Sequence, residues 1–343
     1  MQYLSINSIS INVAFVRAAT AKVACEQHEI DALLMASKIP PTLLAQPHAR
    51  VSLHQYAQLI TALIKVSKDE MLGHTENNIP LGSLSVLTHW MTGAETIGQA
   101  IQRLIRFYAI IDRDIKISID TGRSYFSLAI NHRSHAKCFD EYVYEFMFFF
   151  VHRILCWLQR RLFPISDIAF PFDQPLHARD HRLMYYGAPV CYSQKEARIV
   201  FSTELLSQPI KQDLKSLNSM LSNPISDLLL LNFRGESWSS KVGSIAQSKL
   251  PHLPSLPAIA AELGLQPYTL QRKLKHEGVT YLDIKNQIKR DAAIELLANS
   301  ELSIEAISSQ LGFVETSPFT RIFKQWTGVP PSAYRQRNPP PAS

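Results

Sequence analysis

The sequence predicts an α+β domain followed by an all-α domain in which two helix-turn-helix motifs are joined by a linker helix. Three observations carry this. Alternating apolar runs, the mark of half-buried strands, occur only before about residue 210. From Glu236 onward there is no strand pattern, only helical segments punctuated by Pro251, Pro254, Pro257, Gly264, Gly278, Gly312 and Gly328. Within that second region one helical motif occurs twice, and its turn glycines, Gly264 and Gly312, stand 48 residues apart.

A chain of 343 residues has room for two domains, each with a core of its own. With 46% hydrophobic and 19% charged residues it has the composition of an ordinary globular protein. A net charge of +6 and a pI near 9.1 permit an acidic partner, nucleic acid or a membrane surface, without selecting one. Cys25, Cys138, Cys156 and Cys191 are widely spaced with no C-x-x-C pair, so they read as buried thiols rather than a zinc site or disulfide framework. The N-terminus lacks a basic segment followed by a clean apolar run, so no signal peptide is expected. The most apolar window, Tyr142 to Leu158, is interrupted by Glu145, His152 and Arg153. It reads as a buried helix and not a membrane span. A cytoplasmic location without a membrane partner is expected.

In the first region, helical spacing runs through residues 12–27, 52–71 and 96–111. The runs "DIKISID" and "RSYFSLAI", joined by "TGR", place apolar residues at alternate positions on either side of a glycine, which predicts a β-hairpin. A long helix follows over 138–163. Then "ISDIAF", "APVCYS" and "ARIVFS" read as three more strands, with the helix "HARDHRLMYY" between the first two. Residues 211–235 read as a helical connector whose apolar "DLLLLNF" offers a surface for packing between subunits. The Pro-rich tail 338–343 is expected to be disordered.

The two copies are "LPAIAAELGLQPYTLQRKLKHEG" from Leu256 and "LSIEAISSQLGFVETSPFTRIFKQWTG" from Leu302. Each has a short apolar helix, a glycine that can turn the chain sharply, a few polar residues and a second helix. Ala260 and Ser308, four residues before the glycines, let two helices cross closely. In the second helices Leu270 and Leu274, and Phe319 and Phe323, lie four apart and share one face, with Trp326 expected beside the phenylalanines. The opposite face of the first copy carries Tyr268, Thr269, Gln271, Arg272 and Lys275. That of the second carries Ser317, Thr320, Arg321 and Lys324. Such side chains hydrogen-bond phosphates and base edges: glutamine pairs with adenine, arginine with guanine, and tyrosine or threonine touches a thymine methyl. A plain helical hairpin explains one such motif; two, each with a basic polar face, point to double-stranded DNA.

Between the motifs Ile284, Ile288, Ala292 and Leu296 recur every four residues, so this stretch is a helix. At a rise of ~1.5 Å per residue it spans roughly 28 Å. Successive major-groove faces on one side of B-DNA lie about 34 Å apart, so a rigid helix of this length can serve both grooves from one chain.

The residues "SIEAISSQLGF", "FTRIFKQWTGVPPSAYR" and, upstream, "TLQRKLK" make the region 236–337 resemble the DNA-binding domain of the AraC/XylS family of bacterial transcription regulators. The stretch "FPFDQPLHARDHRLMYYGAPVCYSQKEARIVFSTELLSQPI" makes the region from about 15 to 210 resemble, less specifically, the arabinose-binding-like effector domain of one branch of that family. The resemblance implies an effector-binding and dimerising domain over 1–210, a connector over 211–235, and seven helices in 236–337. It implies a regulator, usually an activator, that answers to a small organic effector, forms a homodimer and meets RNA polymerase at a promoter. A regulator of the same type controlled by a protein partner is the alternative. By position the base-facing residues are Tyr268, Gln271 and Arg272, then Ser317, Pro318 and Arg321. Pro318 lacks an N–H and belongs in a first helical turn, which suggests Thr316 or Ser317 as the N-cap. Arg290 stands where the family has an apolar residue; it either snorkels or faces DNA.

Other chemistry finds little support. His177 and His181 are four apart in "HARDH", a spacing that suits a metal on a helix face, but no nearby acidic or cysteine ligand completes the set, so no metal is expected. "NHRSH", with His132 and His135, reads as a polar loop. No phosphate loop, dinucleotide fingerprint or nucleophile elbow occurs. Some alkyl-transfer repair proteins join a similar DNA-binding domain to a reactive cysteine, but no cysteine here has an activating neighbourhood. An enzyme and a cofactor are therefore not expected. The aromatic run from Tyr142 to Trp157 reads mainly as core. If part of it lines a pocket, the effector is small and partly apolar, with Arg17, Arg103, Arg106 or His152 to meet an acid group. The effector-binding residues are otherwise unknown.

Overall fold

The computed structural model describes residues 10–112, 114–134, 138–231, 238–277 and 279–335. The N-terminal half comprises β1 (Ser10–Asn12), α1 (Val13–Thr20), α2 (Gln27–Ala36), β2 (Arg50–Ser52), α3 (Leu53–Ser67), α4 (Ser83–Thr92) and α5 (Ile97–Ile111). It continues with β3 (Ile115–Thr121), β4 (Tyr125–His132), α6 (Glu141–Gln159), β5 (Asp167–Ala169), α7 (Ala178–Met184), β6 (Val190–Cys191) and β7 (Ala197–Ser202). Then come α8 (Leu214–Leu221), α9 (Pro224–Leu229), α10 (Trp238–Gln247), α11 (Leu256–Glu262), α12 (Pro267–His276) and α13 (Tyr281–Asn299). The last elements are α14 (Ile304–Gln310), α15 (Thr316–Thr327) and α16 (Pro331–Tyr334). Among the described residues α10 to α16 are seven helices with no strand between them, as the resemblance implies. Glu236, Gly278, His135 and the tail 338–343 lie outside the described residues.

Packing divides the chain into two compact units. A sheet unit contains Ala18–Gln27 and Ile60–Leu231, and a helical unit draws on Met1–Arg17, His28–Leu59 and Asn232–Ser343. The expected division near residues 210 and 236 follows the chain; the packing also places two N-terminal segments with the C-terminal helices.

In the sheet unit the strand order is β3-β4-β7-β5-β6, antiparallel except for the β5–β6 pair. The expected hairpin is present, its turn closed by the Gly122 amide donating to the Tyr125 carbonyl at 2.9 Å. Register stacks the apolar positions in rows: Ile117 beside Ile130 and Ala197, Leu128 beside Ile199, Phe126 beside Phe201. All of these are buried, so a slip of one residue would turn the whole row to solvent. α6 packs on this face, with Phe148 5.8 Å from Phe170 and His152 6.5 Å from Phe201, ring to ring. It starts where the Asp140 carboxylate accepts from the Val143 amide, and ends at Arg160 in the left-handed region. Asp140 also binds His74 and Lys22, each at 2.7 Å.

One helical expectation is corrected here. The first helix stops at Thr20 instead of continuing to residue 27. The next turn is fixed from outside, because the Lys22 amine pairs with Asp140 and its carbonyl packs on Gly73. As far as residue 231 the expected helical connector is present as two short helices, broken where Pro224 opens α9. Leu217, Met220, Ile225, Leu228 and Leu229 are all buried within the sheet unit. Within the described part of "DLLLLNF", Leu228 and Leu229 are taken up by this core, and Leu230 and Leu231 are partly exposed.

In the helical unit α13 is the common support. It packs against α10 toward its start and against α14, α15 and α16 further along. Ile284 and Ile288 join Val242, Ala246, Ile259, Ala260, Leu270 and Leu274 in one core. At the other end Phe319, Phe323 and Tyr334 stack in series at 5.7 and 5.6 Å. The middle of α13 is buried on further sides, because Asp291, Ala292, Ala293 and Ile294 are all covered. What covers it includes a two-stranded ladder in which Ser10 pairs with Ser52, Ile11 with Val51 and Asn12 with Arg50. Ser10 donates its hydroxyl to the buried Asp291 carboxylate at 2.6 Å, and Arg50 donates to the Ser10 hydroxyl at 2.9 Å and to its carbonyl at 2.6 Å. The Tyr334 hydroxyl donates to the Arg50 carbonyl at 2.8 Å. Buried polar groups are thus paired across segments far apart in sequence.

Candidate functional site

The first motif is α11, a left-handed Gly264 and α12. The Ser255 hydroxyl caps α11 by accepting from the Ala258 amide at 3.3 Å. Gly264 has φ +67°, which reverses the chain with nothing within 4 Å of where a Cβ would sit. In α12 Leu270 and Leu274 are buried against Ile259 and Ala260. Tyr268, Gln271, Arg272 and Lys275 are exposed on the other side, Tyr268 at 74%, and Thr269 is half-buried. Glu277, just past α12, ties the motif to α10: its two carboxylate oxygens accept from the Trp238 and Ser239 amides at 2.7 and 2.8 Å. Lys241 and Lys273 both lie over the Trp238 ring.

The second motif is α14, Gly312 and α15. The Ser303 hydroxyl caps α14 through the Ala306 amide at 3.1 Å. Ser308, buried where the helices cross, donates to the Glu315 carbonyl at 3.2 Å. Phe319, Phe323 and Thr327 are the buried face of α15, and Trp326 is only half-buried. Ser317, Pro318, Arg321 and Lys324 are exposed; Thr316 and Thr320 are half-buried. The N-cap is Glu315, without a side-chain cap bond, and not Thr316 or Ser317. Pro318 still lies in the first turn, where its missing N–H costs no helical bond, and starting two residues earlier gives the helix tip the amides of Thr316 and Ser317.

α13 opens with a reciprocal cap, the Thr280 hydroxyl accepting from the Asp283 amide and the Asp283 carboxylate from the Thr280 amide. Arg290 is turned inward: its Nε lies 3.1 Å from the Asp291 carboxylate and its side chain is 18% exposed. Arg290 thus pairs with the buried carboxylate of its neighbour, a partner that neither sequence reading of this arginine included.

The sheet unit contains an apolar cavity of about 270 Å³. The aromatic run of α6 is divided between two tasks. Phe148 faces the sheet, while Phe146, Met147, Phe150, Val151 and Ile154 line the cavity. Leu84 and Leu87 of α4, Leu104 and Phe107 of α5, and Ser222 to Ile225 at the α8–α9 break close it. Its polar groups are Thr61, Lys65, Glu70, Ser83 and Tyr108 among others. Glu70 accepts from the Gly82 and Leu84 amides at 2.7 and 2.8 Å. Burial pushes its carboxyl above the usual range, more than those amides pull it down. The arginines and histidine named from sequence do not line this cavity. His152 is wholly buried beside the Phe163 carbonyl at 2.8 Å, Arg103 donates to the Trp90 carbonyl, and Arg17 to the Leu44 carbonyl. Helical spacing identified apolar faces, but not which of them surround empty space.

Two regions of the chain match known families. Residues 28–210 match the arabinose-binding N-terminal domain of AraC transcription regulators, and residues 259–337 match a helix-turn-helix domain. The chain belongs to the AraC family of transcription regulators. It is a DNA-binding regulator and not an enzyme. An AraC-family relative, the ornithine utilization regulator of Pseudomonas aeruginosa, is 24% identical over 98% of this chain and 99% of its own length. The regulator VqsM of the same organism is 27% identical over 50% of this chain and 53% of its own. Among solved structures, the regulator CdpR of Pseudomonas aeruginosa aligns over 90% of this chain and 97% of its own, at 20% identity and a TM-score of 0.32. Among the described residues no helix is long and apolar enough to cross a membrane.

The helix-turn-helix match in this AraC-family chain spans α11 to α16, so both turn glycines fall inside it. They are not equivalent. Gly312 has φ +73°, and a Cβ there would stand 2.5 Å from the Pro251 carbonyl oxygen, whereas the space at Gly264 is open. Gly264→Ala should cost about 1 kcal/mol for the left-handed backbone alone. Gly312→Ala should cost at least about 1–3 kcal/mol more, because backbone must move to admit the methyl. Urea unfolding of the two variants measures this, and equal costs would contradict the close approach at Gly312.

Proposed function

We propose that α12 and α15 are the DNA-reading helices and that α13 sets them into successive major-groove faces of one promoter. The observation that carries this is the pairing of faces. Leu270 and Leu274, and Phe319 and Phe323, are buried, while Tyr268, Gln271, Arg272 and Lys275, and Ser317, Pro318, Arg321 and Lys324, are solvent-facing on the same helices. Thr269, Thr316 and Thr320 stand at the edges of these faces, at the depth where hydroxyls meet phosphates. The first copy holds the richer set of base-reading side chains. Expected domain roles follow the chain: effector binding over 1–210, a connector over 211–235 and DNA binding over 236–337.

The cavity of the sheet unit is the proposed effector site. Its walls suit a small, predominantly apolar organic molecule with one polar end for Glu70, Lys65 or Tyr108. Ser222, Asn223 and Pro224 at its edge belong to the expected connector, so an occupant would touch the segment that leads toward the DNA-binding region. This favours a small-molecule effector over control by a protein partner. Activation, contact with RNA polymerase, a homodimer and a cytoplasmic location are proposed on the family resemblance alone.

Two outcomes test these assignments. Arg272→Ala and Arg321→Ala should each weaken binding of the full chain to its cognate site by about 1–3 kcal/mol per lost contact, with unchanged unfolding midpoints. Undiminished affinity in both would remove the assigned faces. Leu84→Trp extends a half-buried wall residue into the cavity. A metabolite fraction that raises the melting temperature of the unmodified chain should lose that effect on this variant, with DNA affinity kept. An equal rise in both would place the effector elsewhere.

A further inference from the structure

Three metal-competent side chains meet in the sheet unit, and neither the DNA interface nor the effector cavity uses them. Glu145 lies on α6. His177 immediately precedes α7 and His181 lies within it, four residues apart, so both rings come to one side. The carboxylate that meets both rings is not the Asp180 of "HARDH" but Glu145, which the fold brings from 32 residues before His177. Glu145 Oε1 is 3.0 Å from His177 Nε2 and 2.6 Å from His181 Nε2, and the three donor atoms all lie within 4.8 Å of one another. Glu145 is 4% exposed and His181 wholly buried, while His177 keeps a little access to solvent.

We propose that Glu145, His177 and His181 form a site for a divalent first-row transition ion of the zinc type. Two imidazoles and one carboxylate are the donors such an ion takes, whereas magnesium and calcium prefer all-oxygen sets. Bonds of ~2.0–2.2 Å to each donor separate the donors by more than 3 Å, so the His181 ring has to withdraw from Glu145 by roughly half an ångström. That ring is already oriented. Its Nδ1 lies 2.8 Å from the Tyr192 hydroxyl, which directs Nε2 at Glu145 in the way outer partners orient metal-bound histidines. The two imidazole nitrogens that face Glu145 Oε1 are the atoms an ion would take, so its binding displaces the protons of those hydrogen bonds. Glu141 lies one helical turn before Glu145 and is exposed. An ion here would join α6 to α7 and neutralise the buried Glu145 carboxylate.

The full chain, stripped with chelator and dialysed, is titrated calorimetrically with zinc chloride and separately with cobalt(II), whose visible absorption reports nitrogen and oxygen ligation. One equivalent of zinc per chain is expected, with a rise in melting temperature and cobalt bands that zinc abolishes. His177→Ala, at the most accessible of the three ligands, should weaken binding at least about tenfold. His177→Gln, which keeps side-chain volume should the alanine variant fail to fold, should do the same. His54→Ala, an exposed histidine in the helical unit, should change nothing. Zinc binding that is absent, or that persists undiminished in both His177 variants, overturns the proposal and leaves the trio a buried hydrogen-bond cluster.

Discussion

The helical unit depends on one constraint: α13 must hold its position relative to both motifs at once. Nineteen residues of helix, closed at the start by the Thr280–Asp283 exchange, give the spacing. Spacing alone is not enough, since a helix in water bends and frays. α13 is fixed because Ile284 and Ile288 sit in the core of the first motif, while its later part packs on α14, α15 and α16. Its middle is gripped by the β1–β2 ladder. The buried Asp291 is the polar centre of that grip. It takes the Ser10 hydroxyl and lies beside Arg290, and Arg50 and Tyr334 extend the bonding to the ladder and to α16. A buried carboxylate is costly unless its lone pairs are used, so the arrangement favours one register of ladder on helix.

What was legible in the sequence was whatever a repeating pattern specifies. Leu270, Leu274, Phe319 and Phe323 at four-residue spacing identified two buried faces and so exposed the polar ones. The β3–β4 hairpin was visible because alternation persists over seven or eight residues. β1 and β2 have three residues each, too few for alternation to register, and their role depends on partners hundreds of positions away. The one available signal was on α13 itself: Ala292, Ala293, Ile294, Leu296 and Leu297 are apolar beyond a single stripe, which implies a second packing partner. The pairing of Arg290 was hidden for the same reason, because its partner Asp291 is buried only once the ladder is in place.

The sheet unit shows the limit of pattern from the other side. The aromatic run of α6 announces burial without distinguishing a packed core from a cavity wall, and the fold uses it for both. The His177–His181 spacing was visible, but the carboxylate between the rings comes from a different helix. Leu228 and Leu229 of the apolar connector looked like spare surface until α8 and α9 folded them against their own unit. In each case the missing information was three-dimensional proximity, which composition and period do not encode.

The central claim is that one chain reads two unlike half-sites through α12 and α15, spaced by α13. Hydroxyl-radical footprinting of the full chain on its promoter measures this directly. The account predicts two protected segments per bound chain on one face of the duplex, about one helical turn apart and of different sequence, within a site of about 20 base pairs. A single protected segment of about 10 base pairs per chain, or two segments obliged to be symmetric, would contradict it.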